Sequence, residues 1–154
     1  KTYQVTITAE KKTAKAFLSN QRISLKNSTE MCREIKGKLV NKAEVFANNI
    51  IAHKEFLPLR TYNRKVAHRK GDAKSGVKSG RYPENVCKVF LKLFDVVKAN
   101  ADFKGLDAEN LLIIHAFASH GHKRYSSQSK GRVGGKRRVR KSTHIEVVVR
   151  EVPQ

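Results

Sequence analysis

Three stretches of the chain repeat their apolar residues at helical spacing. The first begins near Ser24 or Asn27. Met31, Cys32 and Ile35 form its short stripe, Glu30 stands three residues after Asn27 as in a capping box, and Gly37 offers a stop. The second runs through Ala43, Phe46, Ala47, Ile50 and Ile51, with Asn41 as its expected cap, Glu44 at the third helical position and Pro58 beyond its end. The third is the strongest. Pro83 suits a first helical position, Glu84 complements the helix dipole, and Val86, Phe90, Leu93 and Val97 make one stripe. Val89, Phe94 and Val96 widen that stripe as a core helix requires, and Asn100–Gly105 ends it.

Strand patterns surround these helices. Tyr3, Val5 and Ile7 alternate within residues 1–11, a polar extension or an edge strand, and residues 14–23 form a second strand candidate. Residues 111–117 are a β-rich apolar run, and residues 143–149 are again strand-like. With Phe17 and Leu18, the three helices supply most of the apolar material for one small core, as a chain of 154 residues allows.

Two stretches have no apolar period at all. Between residues 60 and 81 stand Arg60, Arg64, Lys65, Arg69, Lys70, Lys74, Lys78 and Arg81, opposed only by Asp72, with Gly71, Gly76 and Gly80 loosening the chain. This is expected to be a basic loop that contacts RNA. The second stretch, residues 120–142, contains no acidic residue. It carries Lys123, Arg124, Lys130, Arg132, Lys136, Arg137, Arg138, Arg140 and Lys141, and its only large apolar side chains are Tyr125, Val133 and Val139. Such a segment cannot pack into the protein's own core.

Gly131, Gly134 and Gly135 lie where a reversal of direction is expected, which predicts a long antiparallel hairpin rooted by its apolar ends. Each arm of roughly 17 residues would reach on the order of 55 Å. A globule of this length has a radius of gyration of roughly 15 Å, so the arms must project. The same composition also suits a basic loop that orders only on binding, and the pattern leaves both forms open. In either form the arginines can pair with phosphates, the glycines allow close backbone approach, and Tyr125 can stack on a base.

The overall charge points the same way. There are 33 lysines and arginines against 13 acids, a formal net charge of +20. A compact protein so charged repels itself unless a polyanion screens it. Nucleic acid is the expected partner. Membrane insertion is not, since no run of about 18 apolar residues exists.

Cys32 and Cys87 lie in apolar helical patterns without the close spacing of a zinc site, so buried thiols in a reducing compartment are expected. His120 and His122 flank Gly121 and are expected to meet phosphate or solvent, while His115 and His144 are candidates to face each other across the hairpin. A nuclease needs a carboxylate cluster or a positioned acid and base, yet the arms hold only Glu146 and Glu151 near their base. No catalytic residue, metal or cofactor is expected. A DNA-binding architectural protein with a basic β-ribbon arm is the alternative. Such proteins often carry an apolar wedge or proline at the tip, where this chain offers Ser, Gln and Gly. Its second helix has little beyond Asn48 and Asn49 with which to read bases.

Four stretches together resemble the large-subunit ribosomal protein twenty-two family, in its archaeal and eukaryotic form. Residues 22–37 look like the family's first strand-to-helix passage, and Gly80-Arg81-Tyr82-Pro83 like the start of its longest helix. Residues 100–107 resemble the turn that follows. Lys130-Gly131-Arg132 and Ser142-Thr143-His144-Ile145-Glu146 resemble the tip region and the return strand of its hairpin. The match spans about residues 14–152.

The resemblance implies an α+β fold, three helices packed on a three-stranded antiparallel sheet with a long protruding β-hairpin. The parts would be an extension (1–13), a globular domain (14–118 and 143–152, with the insert 60–81) and the arm (119–142). It further implies a tunnel-wall tip at Ser126, Ser127, Gln128, Ser129, Lys130, Gly131 and Arg132. Large-subunit rRNA, neighbouring ribosomal proteins and the passing nascent polypeptide would be its partners, without self-association. The location would be the cytoplasmic ribosome, or the nucleolus during assembly if the source is eukaryotic. Two departures stand out: Leu25 replaces a proline common in the family, and the tip region is unusually serine-rich.

Overall fold

Helix α3 (Glu84–Phe103) is the longest element, and its apolar stripe decides where the rest of the chain sits. In this computed structural model, which describes residues 3–5, 12–71, 76–127 and 137–152, Val86, Phe90, Leu93, Phe94 and Val97 are all buried. Phe90 and Phe94, one turn apart, meet at 60° with ring centroids 6.3 Å apart. Helix α2 (Val40–Ile51) packs along α3 through Ala43, Phe46, Ala47 and Ile50, and α1 (Leu25–Ile35) buries Met31, Cys32 and Ile35 against the sheet.

The sheet is antiparallel, in the order β1 (Thr13–Gln21), β7 (Thr143–Glu151), β4 (Leu111–His120). Two short pairs complete the α+β architecture: β2 (Leu57–Pro58) with β3 (Gly80–Arg81), and β5 (Arg124–Ser127) with β6 (Arg137–Arg140). Ile145, Val147 and Val149 of the central strand face the helices, as the period-two alternation requires.

Register irregularities re-aim both outer strands. On β4, Ile113 pairs with Val149 but His115 with Val148, so one extra residue reverses the strand's parity. Ala116 and Ala118 therefore turn to the core, and His115 turns to the outer face. On β1 the step from Leu18 to Gln21 spans only Ile145 to Thr143, and Asn20 within it takes φ 51°. Neither edge is left bare. The link after α1 covers β4, with the Gly37 N–H donating to Ile113 O (2.8 Å) and the Ile113 N–H to Lys38 O (3.0 Å). Helix α3 covers β1, where Asn100 Nδ2 donates to Lys15 O and Lys104 Nζ to Thr13 O, each at 2.9 Å.

Several local expectations change. The capping box at Asn27 does not form: α1 starts at Leu25 behind Ser24, and Glu30 turns away into the interior. Asn41 is not a cap either. Leu39 bridges to Leu112 of β4 and takes the cap position, so the helix opens two residues earlier, and the Asn41 amide donates across to Glu109 O (3.4 Å). Glu44 binds Lys98 of α3 at 2.6 Å. Pro83 sits one residue before α3 rather than in it, and Val96 is 39% exposed. Tyr3–Val5 are not a strand. They lie over the outer face of the sheet, where Gln4 N–H donates to Glu146 Oε1 (3.1 Å) and the Tyr3 ring meets Phe17 edge-on. Ile7 falls outside the described residues.

Candidate nucleic-acid interface

The hairpin continues β4 and β7 outward, but as two ladders rather than one. Residues 121–123 and 141–142 break the pairing, and Asn20 of the neighbouring strand fills the break. Its Oδ1 accepts the His122 N–H (2.9 Å) and lies 3.2 Å from Ser142 Oγ. Its own N–H donates to His144 Nδ1 (3.1 Å). Ser142 Oγ donates to His122 O (2.7 Å), and Gly121 N–H to Ser142 O (2.9 Å). A Cβ on Gly121 would stand 2.5 Å from Ser142 Oγ and 2.8 Å from Asn20 Oδ1, so this joint accepts only glycine without rearrangement.

Beyond the joint, β5 and β6 pair Arg124 with Arg140, Tyr125 with Val139, Ser126 with Arg138 and Ser127 with Arg137. Strand alternation gives the ribbon two unlike faces. One carries Arg124, Arg140, Ser126 and Arg138. The other carries Tyr125, Val139, Ser127 and Arg137, with the Arg137 guanidinium 4.8 Å from the Tyr125 ring centre. Every residue of both strands is exposed, and Lys123 and Lys141 flank them in the open as well. Gln128, Ser129, Lys130, Gly131, Arg132 and Lys136, with the glycine turn, lie outside the described residues.

The insert is more tightly held than its composition suggests. Glu30, 1% exposed, accepts the N–H groups of Thr61 (2.8 Å) and Tyr62 (3.3 Å) and pairs with Arg33 (3.2 Å). Those acceptor duties explain why it does not reach back to cap its own helix. Arg60 Nη2 binds Glu34 Oε1 at 2.8 Å. Arg69 donates from Nε to Gly80 O (2.8 Å) and lies over the Tyr82 ring, which His53 stacks upon at 4.6 Å. Arg60 and Arg69 thus anchor the insert to the body, while Arg64, Lys65, Lys70, Lys78 and Arg81 are exposed. Lys74 lies outside the described residues.

A row of concavities joins the two basic regions. The first, about 430 Å³, lies at the ribbon's root between Arg22, Ile23, His122, Arg124, Arg140 and Lys141. The second shares Arg22 and Ile23 with it and runs past Ser24 and Asn27 to the start of α3. The third shares Ser24 and Asn27 and ends at Tyr62, Arg64 and Arg81 of the insert. Residues 22–24 are the link between β1 and α1, so a turn far from both partners in the chain makes one trough of them. Arg22, Asn20 and Lys26, whose ammonium lies 5.3 Å from the Tyr62 ring centre, were not marked by sequence. Each is a single polar residue in an ordinary pattern, and only its neighbours in space give it a role.

His115 and His144 do not face each other: the β4 bulge places His115 Nε2 3.0 Å from Glu146 Oε1, and His144 stacks on Phe17 instead. Among the described residues no group of three or more His, Cys, Asp or Glu converges to hold a metal. Burial pushes the thiols of Cys32 and Cys87 up to about 12, which leaves both protonated and unreactive. No helix among the described residues is long and apolar enough to cross a membrane.

Comparison with known proteins agrees with this architecture. The family model described as ribosomal protein L22p/L17e matches residues 16–150. Among curated proteins, the large ribosomal subunit protein uL22 of Ignicoccus hospitalis is 42% identical over 144 residues, covering 92% of this chain and 89% of its own. Its counterpart in Sulfolobus acidocaldarius is 39% identical over 153 residues, covering 97% of each, and that of Aeropyrum pernix is 40% identical with the same coverage. With the family's model spanning residues 16–150, and relatives this similar along most of their length, the chain belongs to the ribosomal protein L22p/L17e family.

Proposed function

We propose that this protein, a structural rather than catalytic constituent of the large ribosomal subunit, binds and organises large-subunit rRNA, and that its hairpin lines the nascent-peptide exit tunnel. The observation that carries the reading is the trough joining insert and ribbon, because it sets cations of two basic segments far apart in the chain at its two ends, with Arg22 and the Glu84 carboxylate between them. Phosphates along that surface would release counterions and screen a ribbon that otherwise repels itself. In this reading the body is residues 14–118 and 143–152, with 1–13 an extension and 119–142 the arm.

Lys123, Arg124, Arg137, Arg138, Arg140 and Lys141 would hold phosphates, with Lys130, Arg132 and Lys136 continuing the row. Tyr125 would stack on a base. Exposed cations of the insert, Arg64, Lys65, Lys70, Lys74, Lys78 and Arg81, would hold a second stretch of RNA. Residues 126–132 would stand at the tunnel wall beside the nascent polypeptide, with neighbouring large-subunit proteins around the body.

Sedimentation of cell lysate on a gradient tests the reading. Co-migration with large subunits and polysomes, resistant to moderate salt, is expected. Migration with chromatin, or release as free protein at low salt, would refute it and favour a DNA-binding arm. A photoreactive nascent chain stalled on the ribosome should crosslink to residues 126–132, and labelling confined to other proteins would remove the tunnel assignment.

A further inference from the structure

The concavity at the ribbon's root has features that a simple phosphate contact does not require. Its frame is built: Asn20, Gly121, His122, Ser142 and His144 are tied together by hydrogen bonds of 2.7–3.2 Å, with Asn20 in the left-handed region. At about 430 Å³ it is far roomier than a phosphate needs and lies within the range of small-ligand sites. Its floor includes Ile23, an apolar side chain, while His122 is exposed at its side. With Oδ1 committed to the His122 N–H, the Asn20 Nδ2 hydrogens have no acceptor among the described residues.

The rim adds an electrostatic argument. Arg124 and Arg140 are direct cross-strand partners, an arrangement of like charges that destabilises a ribbon unless an anion lies between them. Among the described residues neither forms a salt bridge with a carboxylate. An apolar floor, an exposed imidazole, a free amide donor and a pair of arginines at the mouth match the parts of one nucleotide: a base to stack and hydrogen-bond, and a phosphate to pair.

Resting on the rRNA-binding reading above, we propose that this cavity takes up a single unpaired RNA nucleotide, its base seated over Ile23 beside His122 and Asn20 and its phosphate between Arg124 and Arg140. The partner is thus a bulge or junction rather than a continuous helix, since a base already out of its stack enters at the least energetic cost. The joint between body and arm would grip RNA at a defined nucleotide and fix the direction in which the arm leaves the body.

The probes are two short RNA stems, one fully paired and one carrying a single bulged 4-thiouridine, each titrated with the full-length chain. The bulged stem should bind on the order of tenfold more tightly, as one seated base allows. Irradiation should crosslink the 4-thiouridine to peptides containing residues 20–23, 122–124 or 140–142. The double variant Arg124→Gln, Arg140→Gln, at two exposed positions, should bring the two affinities together while the paired stem is still held by the remaining cations. Equal affinity of the unaltered protein for both stems, or crosslinks only at other residues, would overturn the cavity assignment and leave RNA binding intact. A double variant that weakens both stems alike and keeps the preference would also overturn it. Failure to bind either stem would sink the rRNA reading itself.

Discussion

The lower and upper halves of the hairpin are the same two chain directions, yet they are held in place by different physics. In β4 and β7, alternate side chains such as Ile113, Ile145, Val147 and Val149 are buried completely against three helices. In β5 and β6 every residue is exposed, and arginine faces arginine across the strands. The lower pair is stabilised by the apolar surface it removes from water. The upper pair has no such term, and an isolated two-stranded ribbon is marginal on its own. The contrast shows that a shared backbone pattern does not imply a shared source of stability. The body is specified from within, and the ribbon's exposed strands draw no comparable burial from the rest of the chain.

Removing one aromatic ring from the interior should have the largest effect. Phe90→Ala is expected to lower the free energy of unfolding by about 3–5 kcal/mol, read by urea titration, while RNA affinity per folded molecule is unchanged. A fall in affinity of the folded fraction would mean that body and ribbon are not separable.

The converse substitution should leave stability alone. Replacing Arg137, Arg138, Arg140 and Lys141 by alanine should keep the melting temperature and reduce the slope of log K against log salt by about 3–4. An unchanged slope would show that these cations are only solvated.

The insert lies between these extremes, and Glu30 tests it. Glu30→Ala leaves the Thr61 and Tyr62 N–H groups without their acceptor, for a loss of about 1–3 kcal/mol. Faster hydrogen exchange should appear at residues 60–62 and not in the sheet. Uniform acceleration would place the insert inside the body's own cooperative unit.

The smallest effect should come from the surface pair of Glu84 and His53. The hydrogen bond from His53 holds the Glu84 carboxyl below its ordinary range, with the nearby positive charges adding to it. A depressed carboxyl stabilises the fold above its unfolded-state pKa, and that contribution is lost as pH falls through the folded-state value. Glu84→Gln should therefore lower the melting temperature slightly near neutrality and not at all in strong acid. A difference that persists in acid would point to packing on Tyr82 instead.

Much of this was legible along the chain because it depends on period and composition. The stripe of α3, the thiols buried at Cys32 and Cys87, the strand runs before and after residues 120–142 and the basic character of both loops follow from residue types at regular spacing. The capping boxes did not form, because Glu30 and Glu44 each found a partner across the fold at Thr61 and Lys98. A motif within four residues cannot anticipate a competitor dozens of positions away. The same holds for His115, whose direction is reversed by one extra residue in β4.

The sequence by itself determined three apolar helices, the strand runs and the basic character of residues 120–142, since burial periodicity and net charge are local or additive properties, while the class of the fold came from motifs that resemble a family. Only the tertiary structure decided which cations are free. Arg60 and Arg69 are spent on Glu34 and the Gly80 carbonyl, whereas Arg22, unremarkable in the chain, lines two concavities at once. Charge adds along a sequence, but hydrogen bonds and cavities depend on distances of a few ångströms between residues that only the folded chain brings together.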